Sequence, residues 1–121
     1  MTRLRNLIIV NDQQEERKQI RRTVTQCFEE ASVYEAVNGQ EALKLFESHG
    51  ADLMIIGHHI PKLDGLSLVR FLRAQEVKIP LFLISGNPQI EKESVAAGAT
   101  CYVDKRQLAE ALEGSLATLG G

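Results

Sequence analysis

Five short apolar runs, at residues 7–10, 32–37, 53–56, 81–84 and 101–103, alternate with stretches in which apolar residues recur every three or four positions. Runs of that length fit strands, and the intervening period fits amphipathic helices. Ile20, Val24 and Phe28 fall four apart; Ala42, Leu45 and Phe46 stand at i, i+3 and i+4, and Leu68, Phe71 and Leu72 repeat that spacing. Each set is expected to cover a sheet face. A last helix is expected over residues 106–118, with Leu108, Ala111, Leu112 and Leu116 on its inner face and Gly114 as a mild weakness. Strands alternating with helices predict an α/β fold: a doubly wound five-stranded parallel sheet with helices on both faces.

The punctuation of the chain agrees. Asn38 followed by Glu41 has the form of a capping box, and Asn87 before Pro88 supplies an N-cap and a first-turn proline for a helix running on from about Gln89. Gly50 and Gly98 stand where helix ends need a residue tolerant of positive φ. Gly120 and Gly121 read as a frayed end or the start of a linker.

Composition narrows the function classes. A chain of 121 residues with 44% hydrophobic content suits one domain, taken as residues 1–121, able to bury a core of its own. Fourteen Lys and Arg against sixteen Asp and Glu give a net charge of −2 with both signs interspersed, so no nucleic-acid or membrane partner is expected of this domain. The apolar run at 7–10 is too short for a signal-peptide core or a span, and a cytoplasmic location is expected. Cys27 and Cys101 lack CxxC or metal-ligand spacing and read as buried free thiols.

In an open parallel sheet the chemistry collects beyond the carboxyl ends of the strands. There the chain places Asn11 and Asp12, Gly57, Ser85 and Gly86, and Lys105. This set resembles the receiver domain of bacterial two-component response regulators, over essentially the whole chain. The resemblance implies a flavodoxin-like (βα)5 fold with strand order 2-1-3-4-5. It also implies an acidic pair after the first strand and an aspartate after the third, which together hold Mg²⁺, the aspartate accepting a phosphoryl group from a histidine kinase.

Carried over residue by residue, the acidic pair falls on Asn11 and Asp12, and the acceptor aspartate falls on Gly57. Ser85 matches the hydroxyl that contacts the phosphoryl group, Gly86 the small residue after it, Tyr102 the switch aromatic and Lys105 the conserved-type lysine, with Arg106 where a proline commonly follows. Glycine offers no nucleophile, and an aspartyl phosphate needs a carboxylate. Asp12 alone is a weak Mg²⁺ candidate, so no cofactor and no catalytic residue are expected. The resemblance implies a degenerate receiver, not an enzyme, acting by contact with protein partners: a histidine kinase, an output domain or another regulator. A homodimer through the last two helices and the fifth strand is a further expectation, with Glu91, Lys92, Glu93, Lys105, Arg106 and Glu110 supplying mixed charge there.

Lys105 is expected to contact Asp12, either as a retuned switch or as a plain ion pair. Ser85 either contacts a phosphoryl group or bonds its own loop, and Tyr102 either toggles or packs. Glu15 and Glu16 are assigned to the helix start, where acidic side chains complement the dipole. His58 and His59 are expected to be surface-loop residues whose rings point apart, and His49 to lie in a helix-end turn. The alternative class is a small-ligand or cofactor-binding flavodoxin-like domain, but Asn11-Asp12-Gln13-Gln14 is not a Ser/Thr/Gly-rich phosphate loop. A hydrolase lacks support as well, because Gly57-His58-His59 is no nucleophile elbow.

Overall fold

The structure, a computed structural model, describes residues 4–119. Gly120 and Gly121 therefore lie outside the described residues. Five parallel strands, β1 (Asn6–Val10), β2 (Ser32–Ala36), β3 (Leu53–Gly57), β4 (Leu81–Ser85) and β5 (Cys101–Asp104), form one sheet in the order β2-β1-β3-β4-β5. They are joined through α1 (Gln14–Cys27), α2 (Gly39–His49), α3 (Gly65–Ala74) and α4 (Glu91–Ala97), and α5 (Leu108–Ala117) follows β5. Every apolar run is a strand, with ends that differ from the expected ones by one residue.

Successive strand residues face opposite sides, so each strand feeds two cores. Ile8, Val10, Met54, Ile56, Leu81 and Leu83 pack under Ala42 of α2 and Leu68, Val69 and Leu72 of α3. Leu7, Ile9, Leu53, Ile55, Phe82 and Val103 pack under Ile20 and Val24 of α1 and Leu108, Leu112 and Leu116 of α5. The three central strands are buried on both faces, which is why they are uninterrupted apolar runs.

The cap at Asn38 forms as expected, and the one at Asn87 is displaced onto a shorter turn. The Asn38 side chain accepts from the Glu41 N–H at 2.9 Å, and the Glu41 carboxylate reaches back to the Val37 N–H. Asn87 caps the short 3-10 turn Pro88–Ile90 that precedes α4, and the 3-10 turn Lys105–Gln107 leads into α5, so the last two helices start later than their sequence patterns suggest. Gly50 and Gly98 carry φ of +69° and +115°.

Two expectations fail. Phe71 is 45% exposed, because Val69 rather than Phe71 joins Leu68 and Leu72 on the buried stripe of α3; the Phe71 ring lies in a shallow groove with Leu43 and Phe46 of α2. The cysteines are not buried: Cys27 is exposed at the end of α1, where the helix gives way to the turn before β2, and Cys101 is half-covered because β5 is a sheet edge. No described helix is long and apolar enough to cross a membrane.

Candidate functional site

Strands β1, β3, β4 and β5 end at one edge of the sheet, and parallel register brings their last residues together. Gly57 pairs with Ile84, Ser85 with Asp104, and Val10 with Ile56. The chain leaving these ends encloses a crevice of about 150 Å³ lined by Asn11, Asp12, Gly57, Ser85, Gly86 and Lys105, together with Gln13, Glu16, His58 and His59. All six strand-end residues singled out in the sequence are thus in one place.

Asn11 is buried and bonded at both ends of its amide. Its Oδ1 accepts from the Gln13 N–H at 2.8 Å, shaping the turn into α1, and its Nδ2 donates to Glu16 Oε1 at 2.6 Å. Its main-chain carbonyl accepts from Arg17, whose Nε lies 3.0 Å from Glu35, so β1, α1 and β2 are tied at this corner. Glu16 Oε2 in turn lies 3.0 Å from Lys105 Nζ.

Lys105 therefore pairs with Glu16, and the expected contact with Asp12 is not made. Asp12 is exposed on the rim and takes part in no ion pair among the described residues. The reason is geometric: Cβ atoms on a helix tilt toward its N-terminus, and the third residue of α1 reaches back over the strand ends while Asp12 sits in the turn outside them. Glu15 keeps the helix-start role, exposed beside Lys18, whereas Glu16 belongs to the crevice. The signal that could have found it is its place in the first turn of a helix that begins at the strand carboxyl edge.

Gly57 leaves little room. A β-carbon there would lie 3.3 Å from Asn11 Nδ2 and 3.3 Å from Ile60 Cγ2. Ser85 is buried, and its Oγ accepts from the Asn87 N–H at 3.0 Å and lies 3.3 Å from His58 Nδ1, so it serves its own loop. Tyr102 donates from its hydroxyl to the Ser85 carbonyl at 2.9 Å, and burial first, then Asp104, pushes its phenol above the ordinary value. Arg106 closes the turn after β5 by a two-pronged contact to Asp104, with Nη2 2.7 Å from Oδ2.

The two adjacent histidines do not diverge. Their ring centroids are 4.2 Å apart with planes tilted 33°, because the chain bends out of the strand at His58. His49, at the end of α2 as expected, stacks on Tyr34. No three His, Cys, Asp or Glu side chains among the described residues are grouped to hold a metal ion.

Burial first, and His59 next, hold the His58 imidazole below its ordinary value of 6.5, against the pull of Asp64 and Glu93. With a depressed folded value, the unfolded chain binds the proton more tightly; the contribution to stability is present above 6.5 and lost as the pH falls from there toward the folded value. Urea midpoints are expected to decline as the pH falls below about 6.5, and His58→Asn is expected to flatten that slope. An unchanged slope would assign it to another group. Asp64, held low chiefly by the Ser67 N–H, titrates only in more acid solution.

Residues 7–117 match the family model of the response regulator receiver domain. The chain belongs to that family. It is 37% identical over 98 residues to the two-component response regulator PhoP of Pseudomonas aeruginosa, which covers 78% of this chain and 44% of that protein. It is 34% identical over 105 residues to the probable transcriptional regulator ycf27 of Cyanidium caldarium, covering 85% of this chain and 41% of that one. The receiver thus spans less than half the length of these relatives. The receiver domain of Francisella response regulator 1452 superposes with a TM-score of 0.81 at 25% identity, covering 95% of both chains. The signal receiver domain of NarL from Mycobacterium tuberculosis shares the fold, with a TM-score of 0.84 at 22% identity and 99% coverage of both chains.

Proposed function

We propose that this receiver works without accepting a phosphoryl group at position 57 and transmits its signal by protein contact. The observation that carries the reading is Gly57: the strand-end position that points into the crevice with Lys105 and Ser85 has no side chain. Beside it, His58 Nδ1 lies 3.3 Å from Ser85 Oγ and His59 is exposed on the rim.

The donor set does not fit Mg²⁺. This ion favours one or two free carboxylates with water and phosphate oxygens. Here Glu16 is engaged by Asn11 and Lys105, Asn11 Oδ1 is engaged by Gln13, and Asp12 alone stands free of these contacts. Cofactor binding of the flavodoxin kind is disfavoured by size, because a crevice of about 150 Å³ falls below the roughly 300–1,000 Å³ of ordinary ligand pockets.

The partners that fit this reading are a histidine kinase, an output domain or another regulator, met on the face of α4, β5 and α5. Val95 is 56% exposed there, and Arg70 and Glu93 hold α3 to α4 beside it. A second copy of the chain could use the same face.

Incubating the chain with acetyl phosphate and Mg²⁺ and weighing it intact tests the central claim. The expected result is no phosphoryl adduct under conditions that label a receiver with an acceptor aspartate. An adduct mapping to any residue of the crevice would overturn it.

A further inference from the structure

We propose that Glu16 is a built-in occupant of the crevice, its carboxylate holding Lys105 and Asn11 in the place where an incoming anion would otherwise engage the lysine. This deepens the reading above by naming what fills the site.

The Glu16 side chain is 12% exposed, an unusual degree of cover for an acid in the first turn of a helix. Each of its oxygens has its own donor. Oε1 takes the Asn11 amide at 2.6 Å from the end of β1, and Oε2 takes Lys105 Nζ at 3.0 Å from the end of β5. The carboxylate thus bridges the crevice from wall to wall. Hydrogen bonds to an ionised group are about twice as strong as neutral ones; the Asn11 bond is well covered, while Lys105, 45% exposed, is partly screened by water.

The arrangement needs this chain's departures from the receiver pattern. An amide at position 11 can donate to Glu16; a carboxylate there would face another carboxylate at hydrogen-bond distance and repel it. A side chain at position 57 would press on the same Asn11 nitrogen, 3.3 Å from its β-carbon, and an acid there would compete for Lys105. Asn11, Glu16 and Gly57 therefore form one coupled set rather than separate losses. Among the described residues Lys105 is the only lysine lining the crevice, and with Glu16 already paired to it an incoming anion has to compete with that carboxylate.

Inorganic phosphate, titrated into ¹⁵N-labelled chain while the Ser85 and Gly86 amide resonances are followed, tests this directly. Glu16→Gln and Glu16→Ala, each checked for folding by circular dichroism, are expected to saturate at a phosphate concentration at least about tenfold lower than the unaltered chain, and adding Lys105→Met is expected to abolish the effect. Equal midpoints in the unaltered chain and the variants, or no saturable shift in a folded variant, would overturn the proposal. Should neither Glu16 variant fold, Lys105→Met alone is read instead: the Glu16 carboxyl carbon resonance is expected to move, and an unmoved resonance is equally fatal. A phosphoryl adduct on the unaltered chain would sink the reading of an acceptor-free receiver without touching this contact, so the two failures are distinct.

Discussion

Gly65→Ala is expected to destabilise the fold by about 3 kcal/mol, the upper range for forcing extra atoms into a packed site. A β-carbon at Gly65 would run into the main-chain oxygen of Gly57 and come within 2.8 Å of Leu83 Cδ1 and 3.0 Å of His58 Cα. Two of those three obstacles are backbone, and they have nowhere to retreat. Gly57 is paired with Ile84, the His58 N–H donates to the Ile84 carbonyl at 2.9 Å, and Gly65 itself donates to the His58 carbonyl at 2.9 Å. The first turn of α3 would have to lift from β3 and β4, loosening Leu66 and Leu68 and shifting the rim that carries His58. Urea unfolding checks this, with a lowered midpoint at an unchanged slope. A loss below about 0.5 kcal/mol, the ordinary scatter of surface substitutions, would show that the turn adjusts freely.

Arg73→Met should cost about 2–3 kcal/mol, because several charge-assisted bonds are lost and their acceptors are left at a partly covered seam. The Arg73 guanidinium donates to the carbonyls of Gly98 at 2.8 Å, Val77 at 2.7 Å and Ile79 at 2.8 Å. Its remaining nitrogen reaches Thr100 Oγ1, which also accepts from the Leu81 N–H at 3.0 Å. Burial lowers its pKa, and no carboxylate shares these contacts, so the group acts as a fork that joins the end of α3 to the segments entering β4 and β5. Gly98, at φ +115°, is where the chain passes closest: a β-carbon there would stand 2.5 Å from Arg73 Cγ. Methionine keeps much of the apolar stem and removes the donors. Arg73→Lys, whose single ammonium cannot serve carbonyls in the planar arrangement of a guanidinium, is expected to recover less than half of the loss. Amide exchange should quicken at residues 77–81 and 98–100 together; a change confined to α3 would contradict the fork.

Much of the architecture was legible because its causes are local. The run at 53–56 is apolar at every position since β3 is covered on both faces, and the caps at Asn38 and Asn87 act within three residues. Phe71 was misplaced by periodicity and Cys27 by the usual burial of free thiols, and the cause in the fold is shared. Periodicity says that a helix has an apolar side, not how wide the neighbouring layer is, and both residues lie where that layer ends. The histidine pair was misjudged because alternation holds only while the chain remains a strand, and it bends at His58.

The sequence by itself determined the element order and the polar groups delivered to the carboxyl edge of the sheet, including the glycine at position 57, since strand length, periodicity and strand ends are written in neighbouring residues. Only the tertiary structure decided which of those groups meet. From the sequence Lys105 was matched to Asp12, next to the first strand, while Glu16, one turn later, was given to the helix start; the structure pairs the lysine with Glu16. The tilt of the Glu16 side chain off α1, the Asn11 amide that receives it and the turn that leaves Asp12 in solvent settle the pairing, and these depend on how α1 and the strand after α4 are packed against the same sheet edge.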